Sequence, residues 1–179
     1  MDIVDRIYGM FDQFGDASYG EAVSQREHAL QAAQYAVDDG APATLVAAAL
    51  IHDLGQFLDQ AGDAAETEER DARHEQLGAT FLAEYFPATV VEPIRLHVDA
   101  KRYLCAVEPG YLEKLSNASR LSLGLQGGPF SGVEQENFRT LAHWEDAVRL
   151  RRYDDLGKRP DMTIAPLESY RMLLESLRL

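Results

Sequence analysis

Five histidines stand at positions 28, 52, 74, 97 and 143, and the first four are spaced about 22 to 24 residues apart. His52 is followed directly by Asp53. Imidazole nitrogens and carboxylate oxygens are donors that suit iron, manganese or zinc. The single cysteine, Cys105, excludes a thiolate-type metal site and an intrachain disulfide. A lone histidine near a buried helix is ordinarily a hydrogen-bonded core residue, and for any one of these that reading stands. Four at regular intervals, with an Asp at the end of the most apolar segment, point further. An unpaired ionised carboxylate in a core is strongly disfavoured, and a metal ion removes the penalty.

Cations fall near these candidates. Residues three or four apart on a helix share a face. That rule groups His97 with Lys101, Arg151 with Asp154, and His52 with Gln56 if the helix persists past Gly55. Arg binds phosphate-like oxygens as a fork and Lys as a point charge, so an anionic ligand beside the metal is one reading. Surface cations paired with the abundant carboxylates are the other.

The elements that must position these residues read as helices almost throughout. Ser24-Gln25-Arg26-Glu27 has the form of a capping box, and Gly40 sits where that helix would stop. Thr44 can cap a helix over Leu45–Leu54 that is apolar on nearly every side and therefore buried. Residues 59–71 are acidic, polar and small, as in a loop. His74 opens a helix that Pro87 ends, and the next, from about Val90 to Leu104, tolerates Pro93 in its first turn. Further helices are expected over Tyr111–Leu125, Glu134–Tyr153 and Leu167–Leu177, with a break at Gln126-Gly127-Gly128-Pro129. No strand-like alternation, repeat or linker interrupts this pattern. The expectation is one all-α domain over residues 1–179, a compact helical bundle. His143 and Trp144 read as packing residues, and Cys105 as a small buried apolar one.

The 179 residues, 46% hydrophobic and 26% charged, fit an ordinary globular protein with a core of its own. A net charge of −13 argues against a sequence-independent grip on nucleic acid and against docking on an anionic membrane. Local cations or metals can still attract a small anion. The N-terminal stretch lacks a basic start followed by an apolar run, and Ala41–Ile51 is roughly half of a membrane span. A cytoplasmic protein is expected.

The pattern His28, His52-Asp53, Asp154 resembles the HD superfamily, an α-helical fold that holds metal through His, His-Asp and Asp. The further pair His74 and His97 resembles its dinuclear members. The flanking residues are similar to the mixed-valent diiron oxygenases of organophosphonate catabolism, the PhnZ and TmpB type. The similar segments are Glu21-Ala22, Glu27-His28, Leu54-Gly55, His97 to Leu104, Tyr111-Leu112, Leu115 to Arg120, Gln126 to Pro129 and Arg151 to Asp154. The resemblance runs from about Glu21 to about Tyr170.

It implies two iron ions, Fe2+ and Fe3+. One would be held by His28, His52, Asp53 and Asp154. His74 and His97 would hold the other, with Asp53 bridging. It implies Lys101, Ser119 and Arg151 on the phosphonate oxygens, Glu21 toward the substrate's amino or ammonium end, Gln126 as a further substrate contact, and Asp53, Lys101 and Gln56 nearest the chemistry. The implied reaction is O2-dependent cleavage of the C–P bond of a 1-hydroxyphosphonate. With 2-amino-1-hydroxyethylphosphonate or its N-trimethyl analogue the products are phosphate and glycine or glycine betaine. An upstream 2-oxoglutarate-dependent hydroxylase would supply the substrate.

Two positions depart from the aminophosphonate members. Ser18 stands where they carry a gating Tyr, with Tyr19 as its neighbour, and Gln56 stands where a His is common. Tyr19 takes the role by a one-residue shift, or the gate is absent; a smaller residue 18 would leave room for a trimethylated ammonium. Two other readings stay open. One is a metal-dependent HD phosphohydrolase acting on a nucleotide or phosphate monoester. The other is a silent HD binding module, which predicts a broken ligand set.

Overall fold

The computed structural model describes residues 2–18, 20–59 and 73–179. Among them every regular element is helical, as the patterning predicts. Helix α1 (Ile3–Phe14) is one that the sequence reading did not anticipate. Asp2 caps it by accepting from the Val4 amide at 2.9 Å, and Ile3, Ile7 and Phe11 recur on its buried face. Helix α2 (Gln25–Asp38) opens on the expected Ser24–Glu27 capping box, and Gly40, at φ +64°, carries the chain out of it.

Helix α3 (Ala43–Ile51) is buried from Leu45 to Ile51. Pro42, not Thr44, stands at its N-terminus. It ends three residues sooner than expected, at Ile51; a turn at His52-Asp53 follows and α4 (Leu54–Asp59) begins directly after it. The HD pair therefore sits at a helix break, and Gly55 lies inside a helix rather than ending one. Its role is close approach: a Cβ there would stand 1.9 Å from the His74 carbonyl oxygen and 2.9 Å from the Gly78 amide nitrogen. Only glycine lets α4 meet α5 (His74–Leu82) this closely. The expected 59–71 loop lies, past Asp59, outside the described residues.

Helix α6 (Ala88–Val107) starts earlier than expected, so Pro93 is its sixth residue and not in the first turn. The hydrogen bond it removes belongs to the carbonyl of Thr89, an exposed residue that water can serve. The expected helix 111–125 is two, α7 (Tyr111–Lys114) and α8 (Asn117–Leu125), because the Ser116 side chain caps a fresh start. The expected helix 134–153 is also two, α9 (Gly132–Arg139) and α10 (Trp144–Leu156), split where His143 takes a left-handed φ of 65°. A 3-10 turn at Leu167–Tyr170 leads into α11 (Arg171–Ser176).

Two apolar clusters meet along α6. Val90, Val91 and Ile94 pack with α1 to α5 and α10; Ala100, Tyr103 and Leu104 pack with Tyr111, Leu123, Phe130 and Phe138. Trp144 joins the second cluster edge-on to Tyr103, as a packing residue should. Cys105 is half-buried rather than buried. His97 and Lys101 occupy the seam between the clusters, on one face of α6. No helix among the described residues is long and apolar enough to cross a membrane.

Candidate metal centre and anion pocket

Five elements converge on the seam. His28 comes from the first turn of α2, His52 and Asp53 from the α3–α4 break, and His74 from the first residue of α5. His97 comes from the middle of α6 and Asp154 from the last turn of α10. Their donor atoms form two groups, His28–His52–Asp154 and Asp53–His74–His97, each with all atoms within 4.8 Å of one another. The Nε2 atoms of His28 and His52 are 3.2 Å apart, as are those of His74 and His97. Adjacent ligands around an ion with bonds near 2.1 Å stand about 3 Å apart, so both pairs are spaced for a shared metal.

Asp53 lies between the groups. Its Oδ1 is 3.2 Å from His74 Nε2, 3.8 Å from His97 Nε2 and 3.6 Å from His52 Nε2, and its Oδ2 is 3.7 Å from His28 Nε2. One carboxylate within reach of both groups is the arrangement a bridging ligand needs.

The outer nitrogens are fixed as ligand histidines require. Nδ1 of His28 donates to the Gly157 carbonyl at 2.8 Å, that of His52 to Ala49 at 2.9 Å, and that of His97 to Ile94 at 2.7 Å. A carbonyl only accepts, so each Nδ1 carries the proton and each Nε2 presents its lone pair to the centre. The protonation preferences of His28, His97 and the two carboxylates agree, while His74 is the exception, raised by its contact with Asp53 against the effect of burial. Burial, helped by the His74 and His52 rings, pushes His97 down to about 3, and burial also lowers His28. Burial works against charge on Asp53, yet His52 and His74 outweigh it and hold the carboxyl well below its ordinary range. Burial likewise opposes the Asp154 charge, and Arg151 and Lys158 overcome it. Neutral imidazoles and ionised carboxylates are the forms that bind metal. The donor set thus fits divalent or trivalent ions of the imidazole–carboxylate kind.

A pocket opens beside the donors. It is lined by His28, Asp53, His74, His97 and Asp154, and by Glu21, Gln25, Gln56, Lys101, Ser119, Ser122, Arg151 and Lys158. Lys101 is only 2% exposed and Arg151 3%, so neither is a surface cation. Lys101 Nζ donates to Ser122 Oγ at 2.8 Å; burial, then the Arg151 charge, brings its pKa down to about 7. Arg151 donates to Asp154 at 2.7 Å and to Ser119 Oγ and Tyr111 Oη at 3.3 Å, and pairs with Asp155. Burial opposes its charge, but Asp154 and Asp155 hold its pKa above the ordinary value.

Residues 26–123 match the HD domain. A [1-hydroxy-2-(trimethylamino)ethyl]phosphonate dioxygenase (glycine-betaine-forming) of Leisingera caerulea is 42% identical over 161 residues, 89% of this chain and 82% of that protein. A hydroxymethylphosphonate dioxygenase of Gimesia maris is 40% identical over 174 residues, 97% of this chain and 87% of that protein. The chain belongs to the HD-domain phosphonate dioxygenases. An uncharacterised protein of Acanthamoeba polyphaga mimivirus is 33% identical over 96% of the chain.

The six expected ligands come together, as do Gln56, Lys101, Ser119, Arg151 and Glu21, with Glu21, Arg151 and Asp154 reaching in from outside the matched HD-domain segment. Ser18 does not line the pocket; it is exposed and donates to the Glu21 carbonyl at 3.1 Å. Tyr19 lies outside the described residues. Gln126 sits at the C-terminal cap of α8, away from the pocket lining, with a buried Oε1 that has no partner.

Three polar lining residues escaped the sequence reading, as did the apolar Val98 and Ala118. Gln25 is three residues before His28 and Ser122 three after Ser119, so the face-sharing rule could have found both. Lys158 is four after Asp154 but stands past the end of α10, where helical spacing no longer applies. Gln25 Oε1 is buried without a hydrogen-bond partner in the pocket wall.

Proposed function

We propose that this HD-domain protein cleaves the C–P bond of a 1-hydroxyphosphonate oxidatively, releasing phosphate and a carboxylate. The observation that supports this reading most is the juxtaposition of two three-donor groups, sharing reach of Asp53, with the buried cations Lys101 and Arg151. The substrates considered are 2-amino-1-hydroxyethylphosphonate and its N-trimethyl analogue, yielding glycine or glycine betaine. Hydroxymethylphosphonate, named for the Gimesia relative, is a third.

His28, His52, Asp53 and Asp154 would hold one iron, and His74, His97 and the shared Asp53 the other, in an Fe2+/Fe3+ pair. Bound there, the irons would supply Lewis acidity toward the substrate oxygens and the redox partner for O2. The chain's own contribution is placement. Lys101 and Arg151, both buried, set two positive charges against the phosphonate oxygens where burial strengthens such contacts. The Ser119 hydroxyl adds a hydrogen bond and limits rotation of the group. Fixing the phosphonate fixes C1, which is attached to it, and orientation of this kind lowers the barrier without new chemistry. Gln56 lies in the wall beside Asp53 and would be a polar neighbour of the reacting carbon. In the overall change C1 is oxidised to the carboxylate carbon, O2 is reduced, and each product gains one oxygen atom. The 1-hydroxyl must be installed beforehand by a hydroxylating reaction, such as that of a 2-oxoglutarate-dependent enzyme.

The test is phosphate release by iron-loaded protein from the three compounds, with and without O2. Phosphate from at least one of them, formed only with O2, is the expected result. Phosphate formed equally without O2, or from none of the three, would overturn the reading.

A further inference from the structure

Lys158 is not free to meet a substrate as an isolated cation. Its Nζ stands 2.8 Å from Glu21 Oε1, 2.9 Å from Ser119 Oγ and 3.4 Å from Ser116 Oγ, with Asp154 Oδ1 at 3.8 Å. The same Glu21 oxygen accepts from Ser116 Oγ at 2.6 Å. Both members are largely enclosed, with side-chain exposures of 15% and 16%. Glu21 is the acid this pocket offers to a positively charged substrate end, and the protein's own ammonium already pairs with its Oε1.

We infer that Lys158 is a specificity-determining residue: by pairing with Glu21 it sets the pocket against 1-hydroxyphosphonates with a distal ammonium and in favour of those without one. The inference rests on the hydroxyphosphonate reading above. A substrate ammonium at Glu21 competes with Lys158 Nζ for the carboxylate, and to the extent it displaces that ammonium it leaves it to Asp154, at 3.8 Å, in a wall that also holds Arg151 and Lys101. A ligand that ends at its hydroxymethyl carbon leaves the pair intact, and its phosphonate gains the nearby positive charge. The Ser119 hydroxyl joins the two ends of the pocket, because it touches both Lys158 and Arg151.

The test compares hydroxymethylphosphonate with 2-amino-1-hydroxyethylphosphonate in wild type, Lys158→Met, Lys158→Arg and the double variant Lys158→Met/Glu21→Gln. Two readouts are taken: the ratio of kcat/KM values, and the ratio of dissociation constants measured without O2 by calorimetry on metal-loaded protein. Wild type is expected to prefer hydroxymethylphosphonate. Lys158→Met frees the Glu21 carboxylate and should move both ratios toward the amine by about tenfold or more, the size of a charge-assisted contact. Lys158→Arg keeps a cation and should stay close to wild type; the double variant removes the acid and should return toward it. Should Lys158→Met not fold, Lys158→Gln takes its place, with the same shift of both ratios toward the amine expected.

Unchanged ratios in Lys158→Met, or equal losses for both compounds, would overturn the inference, the second result placing Lys158 on the phosphonate. Turnover by wild type of neither compound nor of the N-trimethyl analogue would count against the hydroxyphosphonate reading itself, whereas turnover of the N-trimethyl analogue alone would overturn the inference.

Discussion

Gly55 and His74 touch through their backbones, since a Cβ at residue 55 would stand 1.9 Å from the His74 carbonyl oxygen. One helix thus leans on the other at the point where a metal donor begins. Gly55→Ala must push α5 away and carry His74 from Asp53. Overpacking of this kind costs about 1–3 kcal/mol. The expected outcome is a lower thermal midpoint together with loss of about one metal ion per chain, read by elemental analysis. Unchanged metal content would show that His74 is not positioned by this contact.

Asp53→Ala removes a carboxylate in reach of both donor groups. It should lose metal from both groups and all turnover. His52→Ala should empty the His28–His52–Asp154 group and abolish turnover too. Elemental analysis showing two ions per chain in either variant would refute the ligand assignment.

Lys101→Ala should keep its metals and lose ligand affinity. A charge-assisted hydrogen bond contributes about 1.5–3 kcal/mol, so phosphonate should bind roughly ten- to a hundredfold more weakly near pH 6. Unchanged affinity would remove Lys101 from the anion pocket.

The pH dependence follows from the same residue. Burial brings Lys101 to about 7, well below the ordinary lysine value. Its positive charge is present below pH 7 and lost above it, so phosphonate affinity should fall as pH rises through 7. The folded protein's stability moves the other way. The unfolded chain keeps this proton up to about 10.4. Between about 7 and that value it binds more protons than the native state, and this group makes the native state relatively more stable as pH rises. Calorimetric titration across pH 6–9 should show the affinity slope in wild type and not in Lys101→Met.

Metal loading should release protons. Burial works against a charge on His74, but the Asp53 contact prevails and raises its pKa above 6.5. An ion binding there must displace that proton. Affinity at the Asp53–His74–His97 group should therefore weaken as pH falls below neutral. Titrations in two buffers of different ionisation heat would measure the release, and identical heats would refute it.

The grouping of the six candidate donors was legible because each is a histidine or aspartate whose neighbours in sequence form a recognisable pattern. The all-α character was legible from periodicity. Helix ends were less so. Ser116 restarts a helix by side-chain capping, and His143 breaks one by a left-handed backbone that no local composition announces. Helix α1 was missed although Asp2 and the Ile3, Ile7, Phe11 spacing carried the signal. Lys158 was missed for a different reason. Its place opposite Glu21 depends on how the chain leaves α10 after Gly157, which only tertiary packing decides.

The hydrogen bond from His28 to the Gly157 carbonyl joins the second helix to the chain that follows the tenth, across 129 residues of sequence. Ions held between His28 and Asp154 would clasp the same two distant stretches. Such a clasp closes a long loop, and the unfolded chain, lacking a preformed site, gains nothing from it. Iron supply then becomes a matter of durability as well as activity. Chains made under iron starvation would open more often between α2 and α10 and be degraded sooner by proteases.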